Sequence, residues 1–368
     1  MAELFEQTTL RSITLRNRLV RSATWEGMCD DNGHPSQQLI DCYGALARGG
    51  IGLIISGYAY VRQDGKQLPR KMGMHNEEVA AACQQLAAVV HDAGGKIAVQ
   101  LVHAGGQANS KAAGCQPLAP SAIKAKQYPE LPRELTTADI ADITDAFAQS
   151  ARRVREAGFD AVQLHGAHGY LINQFLSPHT NQRTDQYGGN IENRTRFLME
   201  VYDKVRQTVG DKFPVMIKLS GCDNLPDGLS AEDAIYAATQ LSQAGIDAIE
   251  VSSGTSASGD DTPIRTGINY PEKEAYNLAL SRNIKRAVTC PVISVGGFRS
   301  YAIAQESVQN GDTDYVAICR PLIREPALAN RWQSGDHATA KCISCNACFT
   351  PGLKGKGIYC VVANKQEQ

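Results

Sequence analysis

The sequence predicts an α/β fold, a (β/α)8 TIM barrel with a short cysteine-rich C-terminal extension. Three features of the 368 residues carry that expectation. Short apolar, β-branched runs recur eight times, segments of helical periodicity separate them, and long polar or glycine-rich stretches follow the third and fourth runs. Continuous apolar runs alternating with amphipathic helices describe parallel strands covered by helices. Eight such units is the number at which a parallel sheet closes on itself. A doubly wound open sheet is the alternative built from the same units.

In chain order the runs occupy residues 19–23, 51–57, 96–102, 161–165, 215–220, 248–252, 292–296 and 315–319. Helical periodicity is clearest at 77–91, 137–156 and 231–243. The stretch Ala157-Gly158-Phe159-Asp160-Ala161-Val162 echoes Ala244-Gly245-Ile246-Asp247-Ala248-Ile249. In both, glycine is expected to end a helix in the left-handed conformation, with a strand following at once. So short an echo marks a repeated αβ unit, not a duplicated domain. Residues 105–133 and 178–193 are expected as elaborated loops. In barrels the loops after strand ends build the active site, so these two mark the functional face. The barrel is assigned to residues 1–335 and the cysteine-rich tail to 336–368.

Composition narrows the class of partner. The 37 basic and 38 acidic residues are interspersed and nearly cancel, which argues against nucleic acid and anionic membrane surfaces. Small diffusible substrates fit better. The N-terminus lacks a charged region followed by an apolar run, and no stretch is long and apolar enough for a membrane span, so a cytoplasmic chain is expected. Of eleven cysteines, Cys29, Cys42, Cys83, Cys115, Cys222, Cys290 and Cys319 are scattered, most of them read as small buried apolar residues. A reducing compartment argues against a disulfide framework.

The most informative passage leaves the fourth run as His165-Gly166-Ala167-His168-Gly169-Tyr170. Two imidazoles three residues apart, at the end of a barrel strand, can both face the barrel mouth and polarise a carbonyl, nitro or phenolate oxygen. Tyr170 adds a phenol suited to general acid work. A metal site or a structural histidine cluster are the bland alternatives, although no third zinc ligand is identifiable.

From His165 to Phe197 the sequence HGAHGYLINQFLSPHTNQRTDQYGGNIENRTRF resembles the diagnostic segment of the old yellow enzyme family, flavin-dependent ene-reductases. The resemblance extends over about residues 1–335: Asn17–Val20 with Ser22-Ala23-Thr24, Gly52 to Gly57, Gln100, Val251–Gly254, Ser294–Gly297 and Cys319–Ile323 all match. It implies FMN held by Ala23, Thr24, Gly57, Gln100, Lys218, Gly296, Gly297, Cys319 and Arg320. Gly296 and Gly297 would let backbone N–H groups approach the flavin phosphate, with Arg320 as a fork of donors. Tight turns alone are the other reading of that glycine pair. The Gln100 amide would read the pyrimidine edge of the flavin ring. Lys218 would place a cation near N1, a salt-bridged lysine being the ordinary alternative.

The implied reaction has two halves. NADH or NADPH reduces the flavin and leaves; an activated alkene then binds, hydrogen-bonded by His165 and His168. Hydride passes from flavin N5 to one alkene carbon, and Tyr170 protonates the other. Trp25, His165, His168 and Tyr170 would contact the substrate. The chain departs from the family pattern in three places. Lys218 stands where arginine is common, Cys319 where glycine is usual, and Trp25 where a smaller residue tunes the flavin. These departures bear on substrate preference. Assembly as a homo-oligomer is also implied.

The remaining thiols form Cys342-x2-Cys345-x2-Cys348-x11-Cys360. Four cysteines at this spacing suit a [4Fe–4S] cluster or zinc. The segment resembles the cluster-binding segment of 2-enoate reductases, 2,4-dienoyl-CoA reductases and trimethylamine dehydrogenase, which continue into further nucleotide-binding domains. Here eight residues follow Cys360, so a vestigial tail of free thiols stays open as a third reading. Three functions are therefore carried forward: an FMN-dependent NAD(P)H:alkene oxidoreductase, a flavin/iron–sulfur electron-transfer protein fed by a ferredoxin-like donor, and a non-catalytic flavin barrel.

Overall fold

A computed structural model describes residues 2–366; Met1, Glu367 and Gln368, at the outer ends of the two predicted segments, lie outside the described residues. Eight parallel strands form the frame: β1 (Leu19–Arg21), β2 (Leu53–Ile55), β3 (Ile97–Val102), β4 (Ala161–Gly166), β5 (Val215–Ser220), β6 (Ala248–Ser252), β7 (Val292–Val295) and β8 (Tyr315–Ile318). Each pairs with the next, and β8 pairs back to β1 through Val316↔Leu19 and Ile318↔Arg21, so the sheet is closed. Closure decides for the barrel over the open sheet.

The ring of helices comprises α1 (Gln37–Arg48), α2 (Glu77–Asp92), α3 (Thr137–Glu156), α4 (Ile191–Val209), α5 (Ala231–Gln243), α6 (Leu278–Ala287), α7 (Tyr301–Gln309) and α8 (Leu328–Gln333). Several starts are encoded locally. Thr136 and Asp139 form a reciprocal capping box at α3, and Asn76, Asn190 and Ser230 cap α2, α4 and α5. Gly158 and Gly245, at φ +85° and +88°, turn the chain out of α3 and α5 straight into β4 and β6. The sequence echo therefore reports a repeated helix exit.

Inside the barrel, Val20, Leu53, Ile55, Ala98, Ala161, Met216, Ala248, Ile293, Tyr315 and Ala317 pack as one apolar layer. An N-terminal hairpin (Thr8–Leu10 with Ile13–Leu15), not anticipated from sequence, adds Leu10, Ile13 and Leu15 to that layer and corks the lower end. Towards the other end the interior turns polar. Four of the eight strands end earlier there than expected, β1 at Arg21 and β2 at Ile55 most clearly, because the chains diverge into the loops that shape the mouth.

Those loops are elaborated. The stretch after β3 holds a short helix (Ser110–Ala113) and a two-residue strand, Leu118–Ala119, paired with Arg133–Glu134. The chain leaving β4 forms a helix, Leu171–Leu176, before the long loop into α4. The cysteine-rich tail lies against the barrel. Ala340 N–H donates to Arg299 O, Ile358 N–H donates to Glu26 O, and both residues share the main apolar core. Among the described residues no helix is long and apolar enough to cross a membrane.

Candidate active site

The chain leaving β4 turns sharply at His168 and Gly169, with φ of +63° and +75°. A left-handed histidine is uncommon and costs on the order of 1–3 kcal/mol, and three contacts hold it. Its ring Nε2 meets Ser252 Oγ at 2.8 Å, its N–H donates to Ser220 Oγ at 3.3 Å, and its carbonyl accepts from Gln107 Nε2 at 2.9 Å. The turn sets His165 edge-on to His168 and Tyr170, with ring centroids 5.1 and 4.7 Å apart. Tyr58, the residue after Gly57, completes an aromatic box at 5.8 Å from His165 and 5.5 Å from Tyr170.

Protonation states follow from this packing. The Ala167 N–H donates to His165 Nδ1 at 3.3 Å, so the ring proton belongs on Nε2, which is left as a donor. Burial, then the neighbouring His168, Lys218 and Lys71, holds His165 well below the ordinary histidine range. Burial and Lys218 do the same for His168. Both rings are neutral at pH 7. Burial raises the Tyr170 phenol to about 12, and its hydroxyl donates to Gln67 Oε1 at 2.8 Å.

A polar chain crosses the barrel beneath these rings. Gln100 Nε2 donates to Gln163 Oε1 (2.7 Å), Gln163 Nε2 to Glu250 Oε2 (2.9 Å), and Ser22 Oγ to Glu250 Oε1 (2.6 Å). Lys218 Nζ donates to Ser22 Oγ at 2.8 Å and lies 3.3 Å from Glu250. The expected Lys218 cation is therefore paired, yet it also lines the cavity above. Gln100 Oε1 is buried with no hydrogen-bond partner among the described residues. A buried acceptor left unpaired costs about 1–3 kcal/mol, and a ligand N–H would relieve it.

One cavity of about 550 Å3 joins these groups. Ser22, Ala23, Thr24 and Trp25 form one wall, Tyr58, Gln67 and Leu68 another, and His165, His168 and Tyr170 the inner face. Its far end is bounded by Tyr276, Gly296, Gly297, Arg299, Cys319 and Arg320. Gly297, at φ +77°, has Tyr276 ring atoms 3.0 Å from where a Cβ would stand. The guanidinium of Arg320 donates to Arg265 O and Asn346 Oδ1, both at 2.7 Å. Two expected residues do not line the cavity. Gln100 lies in the polar layer below, and Gly57 lies behind Thr24, where its N–H donates to Tyr43 Oη at 2.8 Å. A Cβ on Gly57 would stand 2.0 Å from Glu26 Oε2, so the glycine is needed for close packing.

Sequence reasoning did not single out Tyr58, Gln67, Arg299 or the tail residues Phe349 and Leu353, all on the cavity wall. Tyr58 and Arg299 each stand within two residues of a chosen glycine, the one signal that could have found them. Trp25 Nε1 donates to Pro69 O at 3.2 Å, and its ring packs on Gly352 of the tail.

All eleven cysteines are unbonded. Cys342, Cys345, Cys348 and Cys360 surround a small second cavity with Arg320 and Arg324. Among the described residues no three histidine, cysteine or acidic side chains converge as ligands of a single ion, so neither the zinc nor the cluster reading is set apart by geometry. Arg320 and Asn346 border both cavities.

Residues 3–338 match the family model described as the NADH:flavin oxidoreductase / NADH oxidase family. The chain belongs to that family. It is the old yellow enzyme family, a family of flavin oxidoreductases. The chain is 36% identical over 348 residues to an NADH oxidase of Thermoanaerobacter brockii, covering 93% of this chain and 52% of that protein. It is 38% identical over 324 residues to an NADPH dehydrogenase of Geobacillus sp. (strain WCH70), covering 88% and 91%. Among solved structures, 2-naphthoyl-CoA reductase in complex with 2-naphthoyl-CoA superimposes with a TM-score of 0.90 at 27% identity. That match covers 98% of this chain and 56% of the reductase. The chain thus spans about half the length of some relatives and nearly all of others.

Proposed function

We propose that this family member reduces carbon–carbon double bonds activated by a carbonyl, nitro or similar group, with NADH or NADPH as the electron source. The observation that carries the reading is the convergence of His165, His168 and Tyr170 on one cavity, above a polar layer in which Gln100 Oε1 is buried without a partner among the described residues. The residues present fit FMN. Gly296, Gly297 and Arg320 from the family pattern, with Arg299, would hold its phosphate. Lys218 and Gln100 would hold the polar edges of its ring, and Ala23, Thr24 and Cys319 would flank it. When bound, FMN supplies the hydride chemistry in both directions.

The chain's own groups do the rest. His165 offers Nε2–H to the activating oxygen of the alkene, and a neutral donor binds it without adding net charge. His168, held by Ser252, keeps His165 oriented and is the second candidate donor. Tyr170 holds a proton at Oη for the alkene carbon and keeps it across the neutral range. Trp25, Leu68, Ile264, Phe349 and Leu353 make the outer cavity apolar, which suits a bulky, flat substrate. The test is anaerobic. NAD(P)H should bleach the flavin spectrum and an enone should restore it; protein that binds flavin but returns no colour with any activated alkene would defeat the proposal.

A second reading is favoured by the adjoining cavities. Four cysteines line one small cavity beside two guanidinium groups, and their spacing in sequence suits a [4Fe–4S] cluster, although as placed they do not converge on one point. Shared walls at Arg320 and Asn346 would set such a cluster beside the flavin, as an electron-transfer role through a ferredoxin-like donor requires. In that reading the barrel (1–335) and the tail (336–368) are distinct functional units. Iron and acid-labile sulfide in anaerobically purified protein support it; protein with full flavin and no iron removes it.

A further inference from the structure

Lys71 is 1% exposed, and its ammonium nitrogen has no hydrogen-bond partner among the described residues. Amines are rarely left in that state, since a buried unpaired cation is costly. The nitrogen lies 4.1 Å from the centre of the Tyr58 ring and 5.6 Å from that of Tyr170. The backbone fixes it there. Segment 70–74 is stitched to the chain after β2 by Tyr60 N–H to Met72 O and Met74 N–H to Tyr60 O. From this position Lys71 acts on the box of phenols and imidazole, not on solvent.

The groups facing it are Tyr58 and Tyr170 from the aromatic box, His165 on β4, and Lys66 earlier in its own loop. Lys66 is engaged elsewhere, donating to Asp31 O. The Glu26 carboxylate, which acts on Tyr58, is taken by Arg21 at 2.6 Å and by the Tyr43 hydroxyl at 2.8 Å. Among the described residues no carboxylate pairs with Lys71. A cation beside an aromatic pair in a desolvated box stabilises a phenolate more than a phenol.

We propose that Lys71 is a positioning residue for the protonation step, offsetting the negative charge left on Tyr170 when it gives up its proton. The inference rests on the reading above that Tyr170 is the donor. The Tyr170 O–H bond breaks and a C–H bond forms at the alkene carbon. The electron pair stays on the phenolate oxygen until water returns a proton from the cavity mouth. Lys71 need not exchange with substrate; while protonated, its ammonium stands 5.6 Å from the centre of the Tyr170 ring. Burial and Lys66 push the Lys71 amine well below the ordinary lysine range, so the assisting charge is lost as pH rises. His165 and His168 are already neutral there, and Tyr170 ionises only near 12.

The test uses flavin-loaded full-length protein and measures the two half-reactions separately by stopped flow. Lys71→Met should slow reoxidation by cyclohexenone about tenfold, the order expected of a desolvated cation–π contact, and enlarge the isotope effect in D2O. Reduction by NAD(P)H and the enone concentration at half-saturation should stay unchanged. The wild-type rate should fall on one limb as pH rises; Lys71→Met and Lys71→Gln should lose that limb. Lys71→Arg, which keeps a cation, should recover part of the rate. Equal slowing of both half-reactions, or loss shared by Lys71→Arg, would make Lys71 structural and overturn the proposal. An unaltered reoxidation rate would overturn it too. Tyr170→Phe is run in parallel: if it turns over normally, the donor assignment fails, whereas a slow Tyr170→Phe beside a normal Lys71→Met condemns the lysine alone.

Discussion

Tyr170 keeps its proton throughout the neutral range because burial raises its phenol to about 12. Tyr170→Phe should slow the alkene half-reaction by about 10²–10⁴-fold, the usual worth of a positioned general acid. Flavin reduction by NAD(P)H should change little; single-turnover rates check both. The histidines add a pH dependence of stability. His165 and His168 have folded pKa values depressed by burial, so the unfolded chain binds more protons as pH falls below the ordinary histidine value of about 6.5. Their stabilising contribution is complete above that value and is lost on acidification towards their folded values. Thermal melts from pH 8 to 5 should show the midpoint falling below pH 6.5, with a shallower fall in His165→Asn. The trio of His165, His168 and Tyr170 was legible because six consecutive residues carry it. Tyr58, Gln67 and Lys71 come from another loop and have no local signature; only the fold brings them to the same box.

At the scale of elements, the turn after β7 joins the cavity to the ring of helices. Gly297→Ala would force a side chain into a left-handed position with Tyr276 ring atoms 3.0 Å away. We expect the variant to fold and to purify with a markedly smaller flavin fraction, read from the ratio of visible to ultraviolet absorbance. Unchanged flavin content would assign the glycine to a tight turn alone. The eight barrel strands were legible because strands buried on both faces are written as unbroken apolar runs. The N-terminal hairpin was not, since three-residue strands leave too little pattern. Helix Leu171–Leu176 was missed because six residues, all buried whether apolar or polar, are too few to show a helical period. Gly57 and Gln100 were assigned to FMN by resemblance; Gly57 packs behind Thr24, and Gln100 joins the polar layer below the cavity.

Taken whole, the molecule is a barrel whose outer cavity wall is completed by its own tail. Phe349 and Leu353 reach the cavity from the segment that follows Cys348. Phe349→Ala with Leu353→Ala should raise KM for large aromatic enones several-fold and leave a small one such as cyclohexenone nearly unaffected. Equal effects on both substrates would place the tail outside the binding surface. Sequence spacing made the four cysteines legible as a group, but their nearness to the large cavity is a long-range contact that no local pattern encodes. The hairpin below has a consequence for traffic. With Leu10, Ile13 and Leu15 plugging the base, the interior is a cul-de-sac, and whatever arrives must depart by the way it came. Nicotinamide and alkene would queue for one doorway in turn, and crowding by either would delay the other.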